Sequence, residues 1–170
     1  MDDRAALEGA LRELVSAAAV RDVLLTYAAA VDDRDYDRLR GCFDPAVEAE
    51  HGGVRTVGVD AIVAIVRGLD SFATTTHIVQ SAQVRVEGRV ARSVALCTAC
   101  LVSSTGAGTT ATVRGIRYDD VLEDRDGRWV IVRRRHRPLW QYDVPAIASP
   151  GLPQPLLDSL AAYRGAGPRE

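Results

Sequence analysis

The chain has 170 residues, 47% of them hydrophobic, and a formal charge of −2 at pH 7; this is the size and apolar content of one packed domain. All 21 basic residues are arginine, so Schiff-base chemistry on a lysine, PLP enzymes and phosphate-loop NTPases are excluded. No apolar stretch is expected to approach the ~18 to 20 residues of a bilayer span, and Met1-Asp2-Asp3-Arg4 lacks the layout of a secretory signal, so a cytoplasmic protein with no membrane contact is expected.

From about Leu7 to Val31, apolar residues recur three or four apart (Leu7, Leu11, Leu14, Leu24, Tyr27, Val31), the pattern of an amphipathic helix, with room for one break. Asp32-Asp33-Arg34-Asp35 interrupts it. Tyr36, Leu39 and Phe43 restart it, with Asp35 as N-cap and Pro45 as the stop. Val47 to Glu50 and Val54 to Val57 flank Gly52-Gly53 as a small hairpin. A third helix is expected over Asp60 to Leu69. Then come extended segments at Thr75 to Glu87, Arg89 to Ser103, Thr110 to Glu123 and Arg128 to about Arg137, separated by Gly-containing turns, which make an antiparallel meander. Six of the seven prolines lie at or after Pro138, which predicts an extended tail with one short helix around Leu156 to Tyr163. The division expected is a domain over 1–145 and a tail over 146–170 that packs on the domain or on a neighbouring subunit. Helices first and a bent sheet after them give an α+β fold with a pocket between the layers.

The histidines are His51, His77 and His136. In the strand starting at Thr74, alternation puts Thr75, His77, Val79 and Ser81 on one face. If that face lines the pocket, His77 is a buried imidazole suited to acid and base work; otherwise it is a satisfied core residue. Asp32 falls where the first helix ends, a place the helix dipole makes unfavourable for an acid without a specific partner. An imidazolium would be such a partner, and the carboxylate would fix the ring tautomer; the alternative is a solvated acid in a helix-breaking run. Tyr118 shares a face with Ile116 and Asp120 and is a candidate donor to the pocket or a plain cross-strand aromatic. Arg133-Arg134-Arg135-His136-Arg137 splits between two strand faces and lacks aromatic interleaving, so no nucleic-acid partner is expected; Arg135 is the arginine assigned to the pocket. Trp140 is assigned to its substrate-binding wall. No metal-ligand spacing links His51, His77, His136, Glu48 and Glu50, and no metal or other cofactor is expected. Cys97-Thr98-Ala99-Cys100 spells C-x-x-C, but positions three apart on a strand face opposite ways, so a redox or zinc role is not expected.

The stretch from Leu24 to Leu39 (LLTYAAAVDDRDYDRL) followed by Cys42-Phe43 resembles the opening of the SnoaL-like proteins, in the superfamily of nuclear transport factor 2, scytalone dehydratase and ketosteroid isomerase. Gly58 to Ile62, Thr76 to Val79, Tyr118 to Leu122 and Asp126 to Ile131 agree, so the resemblance spans roughly residues 15 to 140. It implies a cone-shaped fold with helices across a strongly curved, mainly antiparallel sheet. It also implies that Asp32 and His77 form a catalytic pair, with Tyr27 in the position of a catalytic tyrosine of the bile-acid dehydratase branch. Val31 stands where scytalone dehydratase has a tyrosine before the acid. Tyr27 also belongs to the apolar stripe of its helix, which makes it equally a core tyrosine.

Together these readings predict a metal-free acid and base enzyme, a homodimer or homotrimer, acting on a hydrophobic carbonyl compound of polyketide or steroid type by dehydration, isomerisation or cyclisation. The alternatives are a non-catalytic small-molecule-binding or assembly module of the same fold, and an epoxide hydrolase.

Overall fold

The structure is a computed structural model describing residues 2–105 and 108–146. α1 (Asp2–Asp32) is one unbroken helix. Its second half buries Val20, Leu24, Tyr27, Ala30 and Val31, spaced three and four apart as one face of a helix requires, and this face packs on β3. The first half leaves Leu7, Leu11, Leu14 and Val15 exposed. One 18-residue window of this helix is long and apolar enough, by composition, to cross a bilayer. That corrects the expectation of no such stretch: in the alanine-rich run from Val15 to Val31 the only charges are Arg21 and Asp22.

α2 (Tyr36–Gly41) starts at Asp35, whose side chain accepts from the Arg38 amide at 3.0 Å. It stops short of Phe43, because β1 (Phe43–His51) already begins there and runs through Pro45. The pairing of β1 with β6 is irregular between Phe43 and Glu48, and the proline, with no N–H to give, sits inside that gap. Gly52 and Gly53 turn β1 into β2 (Val54–Val57) with φ of 57° and 93°, the positive values that a tight two-residue hairpin demands. α3 (Val59–Arg67) follows, buries Ile62, Val63 and Val66, and ends in a short 3-10 turn at Gly68–Ser71.

β3 (Thr74–Glu87), β4 (Val90–Thr105), β5 (Gly108–Arg125) and β6 (Arg128–Ala146) form the meander. The sheet has six strands in the order β2-β1-β6-β5-β4-β3 and is mixed, since β1 and β6 run parallel; it does not close on itself. Helices lie over its inner face, and the core of Leu39, Phe43, Ile62, Tyr118, Leu122 and Ile131 fills the space between.

Three one-residue irregularities decide which side chains face that core. In β3 the pairing shifts between Val79 and Ser81. Thr75, His77 and Val79 keep the inner face, whereas Ser81 turns outward and is exposed, correcting its grouping with His77. In β6 an extra residue at Val132 moves the inner face from Ile131 to Arg134, so Arg135 points outward and pairs with Glu50 at 3.1 Å. A second extra residue, Leu139, carries Trp140 to the outer face, where it lies over Gly115 and stacks on Tyr142 at 5.8 Å. A Cβ on Gly115 would overlap the indole, so this close approach needs glycine. Both pocket assignments, Arg135 and Trp140, are therefore corrected: the bulge at Val132 inverts the alternation for Arg135, and the one at Leu139 inverts it back, so Trp140 lies on the face opposite to that of Ile131.

β6 also runs on through Pro138 and Pro145, where a tail was expected. β1 accompanies it only as far as His136, and beyond that point no strand among the described residues pairs with that edge of β6, a position that tolerates proline. The tail helix expected around Leu156 to Tyr163 lies outside the described residues.

Candidate functional site

The end of α1 is built to hold Asp32. The amide of Arg34 bonds to the Val31 carbonyl at 3.3 Å and that of Asp35 to Ala30 at 3.0 Å, the paired closure of a Schellman motif. The left-handed position that usually takes glycine is occupied by Arg34, at φ 58°. Its guanidinium offsets that strain by donating to the carbonyls of Val31 (2.9 Å) and Leu69 (3.0 Å) and to the Thr75 hydroxyl (2.7 Å). Arg34 thus ties the helix end to the 3-10 turn and to β3. It was missed in the sequence; the signal was an arginine where a helix C-terminus ordinarily places glycine.

Asp32 projects from that end toward β3 and accepts three hydrogen bonds there. The His77 amide donates to Oδ2 at 2.6 Å, the His77 ring Nδ1 to Oδ1 at 2.7 Å, and the Thr75 hydroxyl to Oδ1 at 2.9 Å. These donors compensate an acid at the wrong end of a helix dipole. A carboxylate only accepts, so Nδ1 carries a proton, and in the neutral ring Nε2 is the nitrogen with the lone pair. The His77 side chain is 7% exposed and that of Asp32 21%, and His77 lines a cavity of about 310 Å³.

The rest of that cavity is mainly apolar near His77, with Val31, Val66, Leu69, Ala99, Leu101 and Ile116 around it. Its floor is closed by Tyr27 and Tyr118, whose rings meet edge to face at 5.9 Å. Below them lies a buried ion pair. Arg134 donates to both oxygens of Asp120, at 2.9 and 2.7 Å, with side-chain exposures of 1% and 0%. Its guanidinium carbon sits 4.1 Å from the centre of the Tyr27 ring and 4.5 Å from that of Tyr118. Burial works against the Arg134 charge, but Asp120 outweighs it and keeps the pKa above its ordinary value. Burial raises both tyrosine pKa values, so each hydroxyl is a neutral donor at physiological pH. Tyr27 is at once a core residue, 6% exposed, and a cavity wall.

A second polar group stands elsewhere on the wall. His51 and His136 face each other across β1 and β6 with stacked rings 5.3 Å apart, and Tyr118 lies edge-on to His136 at 5.5 Å. Burial lowers both histidine pKa values to about 4, helped by Arg134 and, for His136, by His51 and Arg114. Arg114 lines the same cavity. Glu48 and Glu50 point the other way, to Arg133 and Arg135, and among the described residues no three His, Cys, Asp or Glu side chains are grouped to hold a metal ion. Cys97 is buried beneath the cavity with its thiol pushed up to about 11 by burial, whereas Cys100 is only half-buried and all three cysteines are free.

No curated protein matches the sequence. Among solved structures the fold is shared with a Novosphingobium aromaticivorans protein provisionally assigned as a scytalone dehydratase (TM-score 0.68, 19% identity, 82% of this chain and 97% of that one). It is shared also with a type 2 hexachlorocyclohexane dehydrochlorinase, LinA (0.71, 19%, 82% and 97%). A third is Rv3472 of Mycobacterium tuberculosis, a protein of unknown function (0.66, 21%, 92% and 93%). At these identities the likeness establishes the fold. The model of the SnoaL-like domain matches residues 12–135, a span that runs from the helix bearing Asp32 to the strand bearing Arg134, and the chain belongs to the SnoaL-like family.

Proposed function

We infer that the protein is a lyase-type enzyme that eliminates water, or a comparable leaving group, from a hydrophobic carbonyl compound by proton transfer through His77. The observation that carries this reading is the Asp32–His77 hydrogen bond of 2.7 Å at the wall of an apolar cavity. With Nδ1 tied to the carboxylate, Nε2 of His77 takes the proton from the carbon next to the carbonyl. The C–H electrons form the new double bond, the bond from the neighbouring carbon to its hydroxyl breaks, and the proton held on Nε2 leaves with that oxygen as water. Asp32 keeps the ring oriented and balances the imidazolium that forms. Tyr27 or Tyr118, neutral and in the cavity, donates to the oxygen that gains charge. Two of the fold relatives are named for eliminations, a dehydratase and a dehydrochlorinase, which supports this class over hydrolysis. The cavity is at the small end of ligand pockets and suits a molecule of one or two rings better than a four-ring steroid.

The test is His77→Ala on a panel of small β-hydroxy carbonyl compounds. Loss of general base catalysis should lower kcat by about 10² to 10⁴ with unchanged melting temperature. Full turnover in that variant removes the mechanism and leaves a binding module of the same fold.

A further inference from the structure

The polar groups on the wall away from His77 are of a different kind from the dyad, because each leaves a buried nitrogen without a partner. Nε of Arg114 and Nδ1 of both His51 and His136 are buried without a partner, and among the described residues Arg114 makes no ion pair with any acid. A guanidinium on an apolar cavity wall without a carboxylate is costly unless something else supplies the anion.

Its place on the sheet is defined by the register. His77 pairs with Ala99, and Ala99 with Arg114, so the three lie on one rung of β3, β4 and β5. The backbones of His77 and Arg114 are therefore two strand spacings apart, about 9 to 10 Å, and the residue between them is alanine, the smallest side chain that still faces inward. The cavity thus has an acid-base group at one side, a cation at the other and a low floor between, long enough for a ring system. His136 and His51 lie farther along the same wall, on β6 and β1, where His136 pairs with Tyr118 and His51 with His136, while Arg114 pairs with Gln141.

We propose that Arg114 is the recognition pole of the cavity and binds a carboxylate on the substrate, holding a hydrophobic acid so that its C–H bond reaches His77. This rests on the elimination reading only for what happens at His77; the anion site stands on its own geometry. The planar fork of a guanidinium matches a carboxylate bidentately. Arg134 takes no part, since it lies beneath the two tyrosines rather than on the cavity wall, with Nε and Nη2 held by Asp120.

The experiment uses 2-naphthoate and its neutral isostere 2-naphthamide as probes, with affinity measured by calorimetry at pH 7. Wild-type protein should prefer the acid by roughly ten- to a hundredfold. Arg114→Gln should bring the two affinities within about threefold, and Arg114→Lys should restore part of the preference. His77→Ala should leave the preference intact, which separates this site from the catalytic reading. Equal affinity of wild-type protein for both probes, binding of neither, or an undiminished preference in Arg114→Gln would overturn the proposal. If Arg114→Gln does not fold, the wild-type preference and the Lys variant still decide. Loss of turnover in His77→Ala together with no acid preference in wild type would retain the elimination and discard the anion site.

Discussion

Asp32–His77 and Asp120–Arg134 are two acid-base pairs in the walls and floor of one cavity, and they are built in opposite ways. In the floor pair, charge is matched with charge, both groups are sealed, and three aromatic rings surround the guanidinium. In the wall pair, the acid is satisfied three times over, while the histidine uses one ring nitrogen and leaves the other at the cavity. The first arrangement puts its two ion-pair hydrogen bonds into the fold, and only Nη1 of Arg134 is left buried without a partner. The second keeps one valence in reserve, as proton transfer through His77 in the proposed function requires.

The contrast breaks most visibly at Asp120. Asp120→Asn leaves a sealed guanidinium without a counter-charge, and unfolding free energy should fall by about 3 to 5 kcal/mol; a denaturant titration reads it directly. A loss under about 1 kcal/mol would mean that the rings alone accommodate the cation. Asp32→Asn is the matched variant on the wall. It retains an acceptor for His77 but loses the charge that supports imidazolium, so kcat should drop by less than in His77→Ala while stability changes little. Equal thermal losses in Asp32→Asn and Asp120→Asn would erase the distinction. Thr75→Val tests a smaller part, one of the three donors to Asp32. Roughly tenfold in kcat is expected, with KM unchanged, because a hydrogen bond to a charged group is worth about 1.5 kcal/mol at the low end.

The gentlest test is pH. His51 and His136 titrate near 4 in the folded protein against 6.5 ordinarily. Between those values the unfolded chain binds protons that the folded one does not, so stability is full above pH 6.5 and declines as pH falls toward 4. Asp44 and Asp119, held low in the folded state, add their loss only below about 3.8. Melting curves of a His51→Phe, His136→Phe double variant should be flatter between pH 6.5 and 4 than those of the wild type. Identical slopes would show that these rings are solvated.

How far the sequence carried depends on where its periodicity stayed intact. Asp32 and His77 were legible because each rests on a regular element: a helix ending at an acid, and the first four residues of a strand before any irregularity. Tyr27 and Tyr118 were legible for the same reason. Arg135 was not, since it follows a bulge, and a bulge is a pairing event with the neighbouring strand that leaves no local mark; Trp140 follows two, which cancel, and plain alternation from Ile131 puts it outside. The long run of β6 past Pro138 was hidden because proline argues against strand, and what permits it is an edge that no strand among the described residues pairs with. Arg34 escaped notice because its role depends on contacts to Thr75 and Leu69, both more than thirty residues away.

The bulge at Val132 makes β6 a sentence that is read in a shifted frame. Arg133, Arg134 and Arg135 spell the same letter three times, so a slip of one place would still offer Asp120 an arginine. The next letter is what differs: after such a slip Arg135 and Arg137 would face the cavity and His136 would face solvent. Fidelity of the frame is therefore checked at His136, by its stacking on His51 and its edge contact with Tyr118, and the arginine run, the most conspicuous feature of the strand, carries almost none of that information.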